Sequence, residues 1–494
     1  MERLTLTPSS TAVYLQACTR WVSSFSRTYK RRLTSMNGDM KKVLQLEDGN
    51  FGSMQATTVN YQACDCQSVE QPRQSIAVRL LKVCGIGIVG WLLLVVFTHP
   101  GFDIARKFSA YYEFLTNSSE PGYPDPGDGE VLKCISSADW DAYYDIPPWA
   151  HQFPSGSESH FTLPVDSEAL YFLSRGAFQY GTLTVEQSHE ASDTVIVRVR
   201  AAYHKEEALD RANICHVKRQ ENENGISIYT PKIRIPAQDN KDQLVFDVTV
   251  TLPAGASGDV LYIKNLETSA PLFRHEVAAL SDTVFFGSIS LNTLHLPINV
   301  QSVAAETGIF TTANGVIKGH FRSNSSLKLI TTNIAIDAVI DLSHNEDENP
   351  SELVMTTTNA PLDARVSLTT ASGSAGEFTV DAQTTNAPLA LTYVDSPVDS
   401  WLNSKASTRN APATVSLHSA FEGSFSVGSS IIGPSLEQHE VEDPAGEGRQ
   451  RHITISRSRG HIQGSVRWVG AEHSGGEIGF VQVSTTLSPA RLIL

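Results

Sequence analysis

Four copies of one short motif place the tightest limit on how this chain can fold. They are Thr331-Thr-Asn333-Ile-Ala-Ile, Thr357-Thr-Asn359-Ala-Pro-Leu, Thr384-Thr-Asn386-Ala-Pro-Leu and Thr408-Arg-Asn410-Ala-Pro-Ala, with Asn-to-Asn steps of 26, 27 and 24 residues. Each copy leads into a run of alternating apolar and polar residues, such as Leu362 to Leu368. Alternation with period two marks a strand buried on one face only. A second short strand, opening on Gly or an acid, lies between copies: Gly315-Val-Ile-Lys-Gly, Glu377-Phe-Thr-Val and Glu422-Gly-Ser-Phe-Ser-Val. A two-strand unit cannot bury its inner face alone. The pattern therefore predicts a β-solenoid over residues 256–483, each rung stacked on its neighbours. The acidic, Gly- and Arg-rich insertion 437–451 reads as a loop between late rungs, and 484–494 as a C-terminal tail.

The motif also predicts a geometry. Ala before Pro is driven to an extended conformation, so Ala360-Pro361 and Ala387-Pro388 should each open a strand. Asn tolerates left-handed backbone and bonds to nearby main chain, so it suits the corner just before. Asn359 and Asn386 should then stack about 4.8 Å apart on successive rungs, their amides bonded along the stack. Leu362, Ala364, Val366 and Leu368 should face the core while Arg365 and Ser367 face solvent. Val354 and Phe378 should close the same core from the opposite strands.

Over residues 280–483 the Thr-x-Asn-Gly/Ala-x-Ile/Leu corners and Gly-x-apolar-x-apolar strands resemble the putative-adhesin family of unknown function. That resemblance implies a β-solenoid and supplies no catalytic residues. The layout as a whole resembles single-pass fungal membrane proteins of unknown function that carry such an ectodomain.

Upstream, Phe161/Leu163/Val165, Val195/Val197/Val199 and Leu244/Phe246/Val248/Val250/Leu252 alternate in the same way, interrupted by a short helical stretch from Glu206 to Ile214. This reads as a β-sandwich-like domain over residues 158–255, so the chain beyond its N-terminal region is mainly β. Residues 99–157 form a juxtamembrane segment and linker, because the Pro/Gly/Asp run 120–130 excludes regular structure. Trp140, Tyr143, Tyr144 and Trp149, set among Asp139, Asp141 and Asp145, read as aromatics that pin this connection onto a sheet. Sugar stacking is the other use of such a cluster.

Residues 83–97 carry no charge and include ten Leu, Ile, Val or Phe, worth about −3 to −6 kcal/mol on an insertion scale. With Leu80 and Leu81 the helix reaches about 28 Å, close to the roughly 30 Å of a bilayer's hydrocarbon, so 80–98 reads as one transmembrane helix. Gly85-Ile-Gly87-Ile-Val-Gly90 fits the dinucleotide fingerprint, yet the segment after it is apolar all round and no βαβ unit follows. Residues 1–82 hold 11 Lys+Arg and 6 Asp+Glu, a net of +5 that leaves −20 for the rest of a chain at −15. Both sequons, Asn117-Ser-Ser and Asn324-Ser-Ser, fall after the span. The expectation is a type II, single-pass, signal-anchored glycoprotein of the plasma membrane or secretory pathway. Its cytosolic tail 1–75 would be disordered, and Asn117 and Asn324 would carry glycans. Of six cysteines only Cys134 and Cys215 lie beyond the span, and an oxidising compartment favours their pairing as a disulfide. Cys64 and Cys66, one residue apart, do not make a zinc site.

Catalytic patterns are fragmentary. His189-Glu and His275-Glu begin like H-E-x-x-H, lack the second histidine and read as loop residues. Gly287-Ser-Ile-Ser-Leu is not a nucleophile elbow. Asp337, Asp341, Asp363 and Asp381 offer carboxylates for a solenoid face, though a solvated outward row explains them equally. The acidic balance and the lack of a basic patch exclude nucleic acid, and no cofactor motif is present. Two functions are consistent with this pattern. One is a non-enzymatic, membrane-anchored surface protein, structural or adhesive, binding cell-wall glycan or a surface protein. The other is a secretory-pathway enzyme acting on glycans, which needs two carboxylates about 5–10 Å apart in a cleft.

Overall fold

The computed structural model describes residues 122–494 apart from 136–138, 145–149, 151, 233–239, 346–348 and 471–478. The expected cytosolic tail and the apolar span 80–98 lie outside the described residues. Among those described, no helix is long and apolar enough to cross a membrane.

The alternating runs become strands, and most of them pair in parallel, rung upon rung. One ladder takes Phe273–Ala279, the first halves of Ile298–Thr311 and Ile317–Ile330, then Ile336–His344, Leu362–Thr370, Leu389–Asp395 and Ala413–Ser416. The facing ladder takes Leu261–Ser269, Val284–Asn292, the second halves of the same two long strands, then Ser351–Thr356, Glu377–Gln383 and Trp401–Ser407. Register follows from the pattern. Ile317, Ile336, Leu362, Leu389, Ala413 and Ala490 are successive Cα partners and each is at most 1% exposed. Burying a side chain such as Leu or Ile contributes about 1.5–3 kcal/mol, so an inward row repeated down the stack supplies most of its cohesion. Leu362, Ala364, Val366 and Leu368 face inward as expected, Arg365 is exposed and Ser367 half-buried on the other side, and Phe378 is fully buried opposite. Val354 is the exception. It faces outward between buried Leu353 and Met355, because Glu-Leu-Val-Met is apolar on both parities and the alternation there does not fix the face.

Residues 158–255, read from sequence as a sandwich of their own, contribute parallel strands to the same two ladders. Leu244–Ala254 pairs in parallel with Gln179–Ala191, and Glu223–Tyr229 with Ala169–Arg175. Most of their buried side chains belong to the same hydrophobic cluster as the later rungs, while Tyr171, Leu173 and Tyr229 form a separate one with Cys215 and Val217. Alternation announces a half-buried strand without announcing its direction, since parallel and antiparallel strands both have period two. The helical stretch is a single turn, Glu206–Leu209, and Asn213–Lys218 is already strand.

Both ends of the stack depart from chain order. At the start, the rung Ala169–Arg175/Gln179–Ala191 sits between the rung that follows it, Glu223–Tyr229/Leu244–Ala254, and the rung after that. At the finish, Gly479–Thr485 is threaded between Trp401–Ser407 and Gly423–Ser429, and Ala490–Ile493 between Ala413–Ser416 and Ser435–Glu437. The predicted C-terminal tail is therefore part of an inner rung. Entry of that rung is close-packed. Gly423 (φ +158°) opposes Gly479, and a Cβ on Gly423 would lie 2.2 Å from the Gly479 carbonyl oxygen. Beyond these rungs the edges turn antiparallel. Thr194–Tyr203 and Ser155–Pro164 close one end, and the hairpin Gln450–Ser458/His461–Val469 closes the other. An open parallel edge invites pairing with another chain, and a hairpin carrying the exposed Arg457 on its outermost strand blunts it.

The repeated asparagines form the expected ladder. Nδ2 of Asn333, Asn359, Asn386 and Asn410 donates to Oδ1 of Asn314, Asn333, Asn359 and Asn386 at 2.6, 2.6, 2.7 and 2.6 Å. Asn314 donates in turn to Nδ1 of His295 at 2.9 Å. The local reason differs from the one the sequence suggested. Among the described residues only Asn222, Ala375 and Asp399 are non-glycines with positive φ, so the corners are not left-handed and the amide ladder itself accounts for Asn.

Candidate functional site

The interior is filled with apolar side chains, so chemistry available to a ligand lies on the outward rows. On the first ladder Lys318, Asp337 and Asp363 are successive Cα partners, and Lys318 Nζ lies 3.4 Å from Asp337. Asp341, on the same face, meets His320 Nε2 at 2.7 Å and Arg322 Nε at 3.6 Å. Asp381 belongs to the opposite ladder and accepts from Gln383 Nε2 at 2.8 and 2.9 Å. The four sequence-predicted carboxylates thus divide between two faces. On the first face Asp337 and Asp341 each meet a basic side chain, pairs worth a few tenths of a kcal/mol on an open sheet, whereas Asp363 stands directly beside Asp337.

The remaining sequence candidates fall as follows. His275 is not a loop residue. It points inward from Phe273–Ala279, 1% exposed, with Nε2 2.8 Å from Thr268 Oγ1, and burial pushes its pKa down to about 4. His189 lies at the exposed end of Gln179–Ala191. Cys134 and Cys215 are directly opposed on antiparallel strands, Cα atoms 3.9 Å apart, and their sulfurs are bonded. Asn324 is half-buried inside Ile317–Ile330 and its main-chain oxygen accepts from Ser351 Oγ at 3.1 Å. Asn117 lies outside the described residues. Trp140 packs against the main core, the Arg200 guanidinium sits 4.1 Å from the Tyr143 ring centroid, Tyr144 is 90% exposed, and Trp149 lies outside the described residues.

Sequence reasoning missed a groove at the C-terminal end. The outward face of Gly423–Ser429 presents Ser424 and Ser426. The hairpin continues that face with Gln463 and Ser465 on one strand and Thr454 and Ser456 on the other. Phe480, from the threaded strand, borders it and is 39% exposed. The hollow is open to solvent and has a volume of about 480 Å³. Gly464 lets the hairpin sit close, because a Cβ there would lie 2.5 Å from the Phe425 ring. The groove's walls are held from behind. Arg449, its side chain 3% exposed, reaches Asp443 at 2.9 Å and Glu422 at 3.5 Å and lies over Trp468. The Arg449 hydrogen bonds hold the Asp443 carboxyl well below the usual carboxylate range. The groove escaped notice because its residues come from three separated segments. The signal that could have revealed the threaded rung is Thr485-Thr-Leu487-Ser-Pro-Ala490, which repeats the corner motif with Leu in place of Asn.

No protein-family model matches the chain, and no curated protein matches it. Two solved structures are similar at low score. One is a putative cell adhesion protein from Clostridium sporogenes, with 9% identity over 68% of this chain and 99% of that one, TM-score 0.15. The other is a putative adhesin from Parabacteroides merdae, with 12% identity over 52% of this chain and 90% of that one, TM-score 0.24. At these scores the likeness carries no weight, and the functional reading rests on geometry.

Proposed function

We propose that the chain is a membrane-anchored surface protein whose β stack, a solenoid, is a non-catalytic adhesive rod that binds glycan. Residues 80–98 span the bilayer, the positively charged tail is cytosolic, and everything after the span is lumenal or extracellular. The observation that carries this reading is the division of labour within the stack. Inward rows are taken by Leu, Ile, Val, Phe and Ala, while outward rows repeat hydroxyls, amides and paired charges from rung to rung. Rows spaced about 4.8 Å apart offer a repeating polymer many equivalent weak contacts at once, which multiply into avidity. A disulfide between Cys134 and Cys215 suits an oxidising compartment.

The test is made on cells producing the full-length protein. Protease added outside should remove the β stack while sparing the N-terminal tail, and an N-glycosidase should increase gel mobility. The same cells should adhere to beads coated with neutral wall polysaccharide. A protected stack would refute the surface location, a band that does not shift would refute the lumenal or extracellular topology, and beads that fail to bind would refute the adhesive role.

A further inference from the structure

We propose that the C-terminal groove is the site for a neutral oligosaccharide chain, an assignment that rests on the glycan-binding reading above and gives it a location. Four features of the groove point to this ligand class. First, the polar side chains that line it, beside Phe425 and Ile455, are hydroxyls and one amide: Ser424, Ser426, Ser456, Thr454, Ser465 and Gln463. Only one pair of these satisfies itself, Thr454 Oγ1 and Ser465 Oγ at 2.7 Å, and the others turn their donors and acceptors to water. A sugar's hydroxyls replace such water bond for bond, whereas an apolar ligand would strand them.

Second, Phe480 offers an exposed ring at the border of these hydroxyls. The apolar C–H face of a pyranose covers a phenyl ring and buries it, supplying the favourable term that hydrogen-bond exchange alone lacks. Third, no charged residue lines the groove. An acidic polysaccharide would lose its hydration without a counter-charge to replace it. Fourth, the two central strands, Gly423–Ser429 and His461–Val469, are each paired on both sides. Among the described residues the free main-chain row is the outer edge of Gln450–Ser458, so a peptide strand would add at the rim and leave the hydroxyls of the floor unused.

Binding is measured by calorimetry on the full-length protein with four probes: β-1,3-glucohexaose, mannohexaose, chitohexaose and hexagalacturonic acid. At least one neutral hexamer should bind, and the acidic hexamer should bind more weakly. Phe480→Ala and Gln463→Ala should each weaken the neutral ligand roughly tenfold, the scale of one lost stacking or hydrogen-bonding contact. Phe480→Tyr keeps the ring and should bind as the parent does, which guards against a folding defect in the alanine variant. Tyr262→Ala, on another outward patch where Tyr262 stacks on Phe285, should change nothing. If both groove variants bind like the parent, the groove is not the site, while glycan binding elsewhere on the rod survives. If no neutral hexamer binds, or the acidic one binds best, both the groove and the neutral-glycan reading fall.

Discussion

Asn359 stands in the middle of the amide ladder, and replacing it tests what the repeated motif is for. Asn359→Ala removes two hydrogen bonds, the 2.6 Å donation to Asn333 and the 2.7 Å acceptance from Asn386. The groups left behind are exposed and recover water, so each bond is worth its small net value, about 0.5–1 kcal/mol. The single variant should therefore lose about 1–2 kcal/mol. Asn386→Ala also removes two bonds, one of them shared with Asn359. The double variant removes three bonds rather than four, so its loss should fall short of the sum by about 0.5–1 kcal/mol, a coupling energy that a double-mutant cycle isolates. Asn359→Asp keeps an acceptor, loses the donor and sets a carboxylate against the Asn333 carbonyl, so it should be at least as costly as alanine. Asn359→Gly should give no rescue, because the corner is not left-handed. Urea unfolding at constant m reads the energies, and hydrogen exchange at the Asn386 amide, bonded to the Thr358 oxygen at 2.8 Å, localises them. Strict additivity, or a stabilised glycine variant, would refute the ladder as the reason for Asn.

Two further predictions concern buried ionisable groups. His275 is held neutral with a folded pKa near 4, below its unfolded value near 6.5. Between those values the unfolded chain binds the extra proton, so stability is intact above pH 6.5 and falls as the pH drops towards 4. The loss is about 3 kcal/mol, and His275→Gln should abolish that share of the pH dependence in urea titrations at pH 7 and pH 4. Arg449→Met should leave Glu422 and the buried Asp443 without their cation. The insertion should then become cleavable in limited proteolysis at residues 438–448, while the parent resists; equal resistance would show that the ion pairs are not what holds it.

How much of this was legible in the sequence depended on which property the residues encode. Burial parity was plain wherever polar and apolar residues alternate, as in Leu362–Thr370, and failed at Val354 where neighbours on both parities are apolar. The corner motif disclosed the middle rungs but not Thr293-Leu-His295-Leu-Pro-Ile, Thr312-Ala-Asn314-Gly-Val-Ile or the threaded Thr485-Thr-Leu487. In these copies the Asn or the Pro is replaced, and the first two stand only 19 residues from the next corner, since Ile298–Thr311 and Ile317–Ile330 run through both ladders unbroken. Rung order at the ends was invisible for a different reason. Threading is decided by long-range pairing, and nothing local in Gly479–Thr485 states which strands it separates. The groove inherits that blindness, because Phe480 reaches it only through the threaded strand.

The groove and the order of the C-terminal rungs depend on that threading, which one cross-linking measurement tests directly. Lys405 and Gln482 are outward Cα partners on adjacent strands, and Gln482 is in turn the partner of Ser426. With cysteines at 405 and 482 the two Cα atoms stand about 4.8 Å apart, within the 4.4–6.8 Å that a disulfide accepts, whereas 405 and 426 are separated by two strand spacings, about 9.6 Å. Mild oxidation followed by peptide mapping should find the 405–482 bond in the Lys405→Cys/Gln482→Cys variant and no bond in Lys405→Cys/Ser426→Cys. A stack built in simple chain order would make 405 and 426 the neighbours and reverse the result.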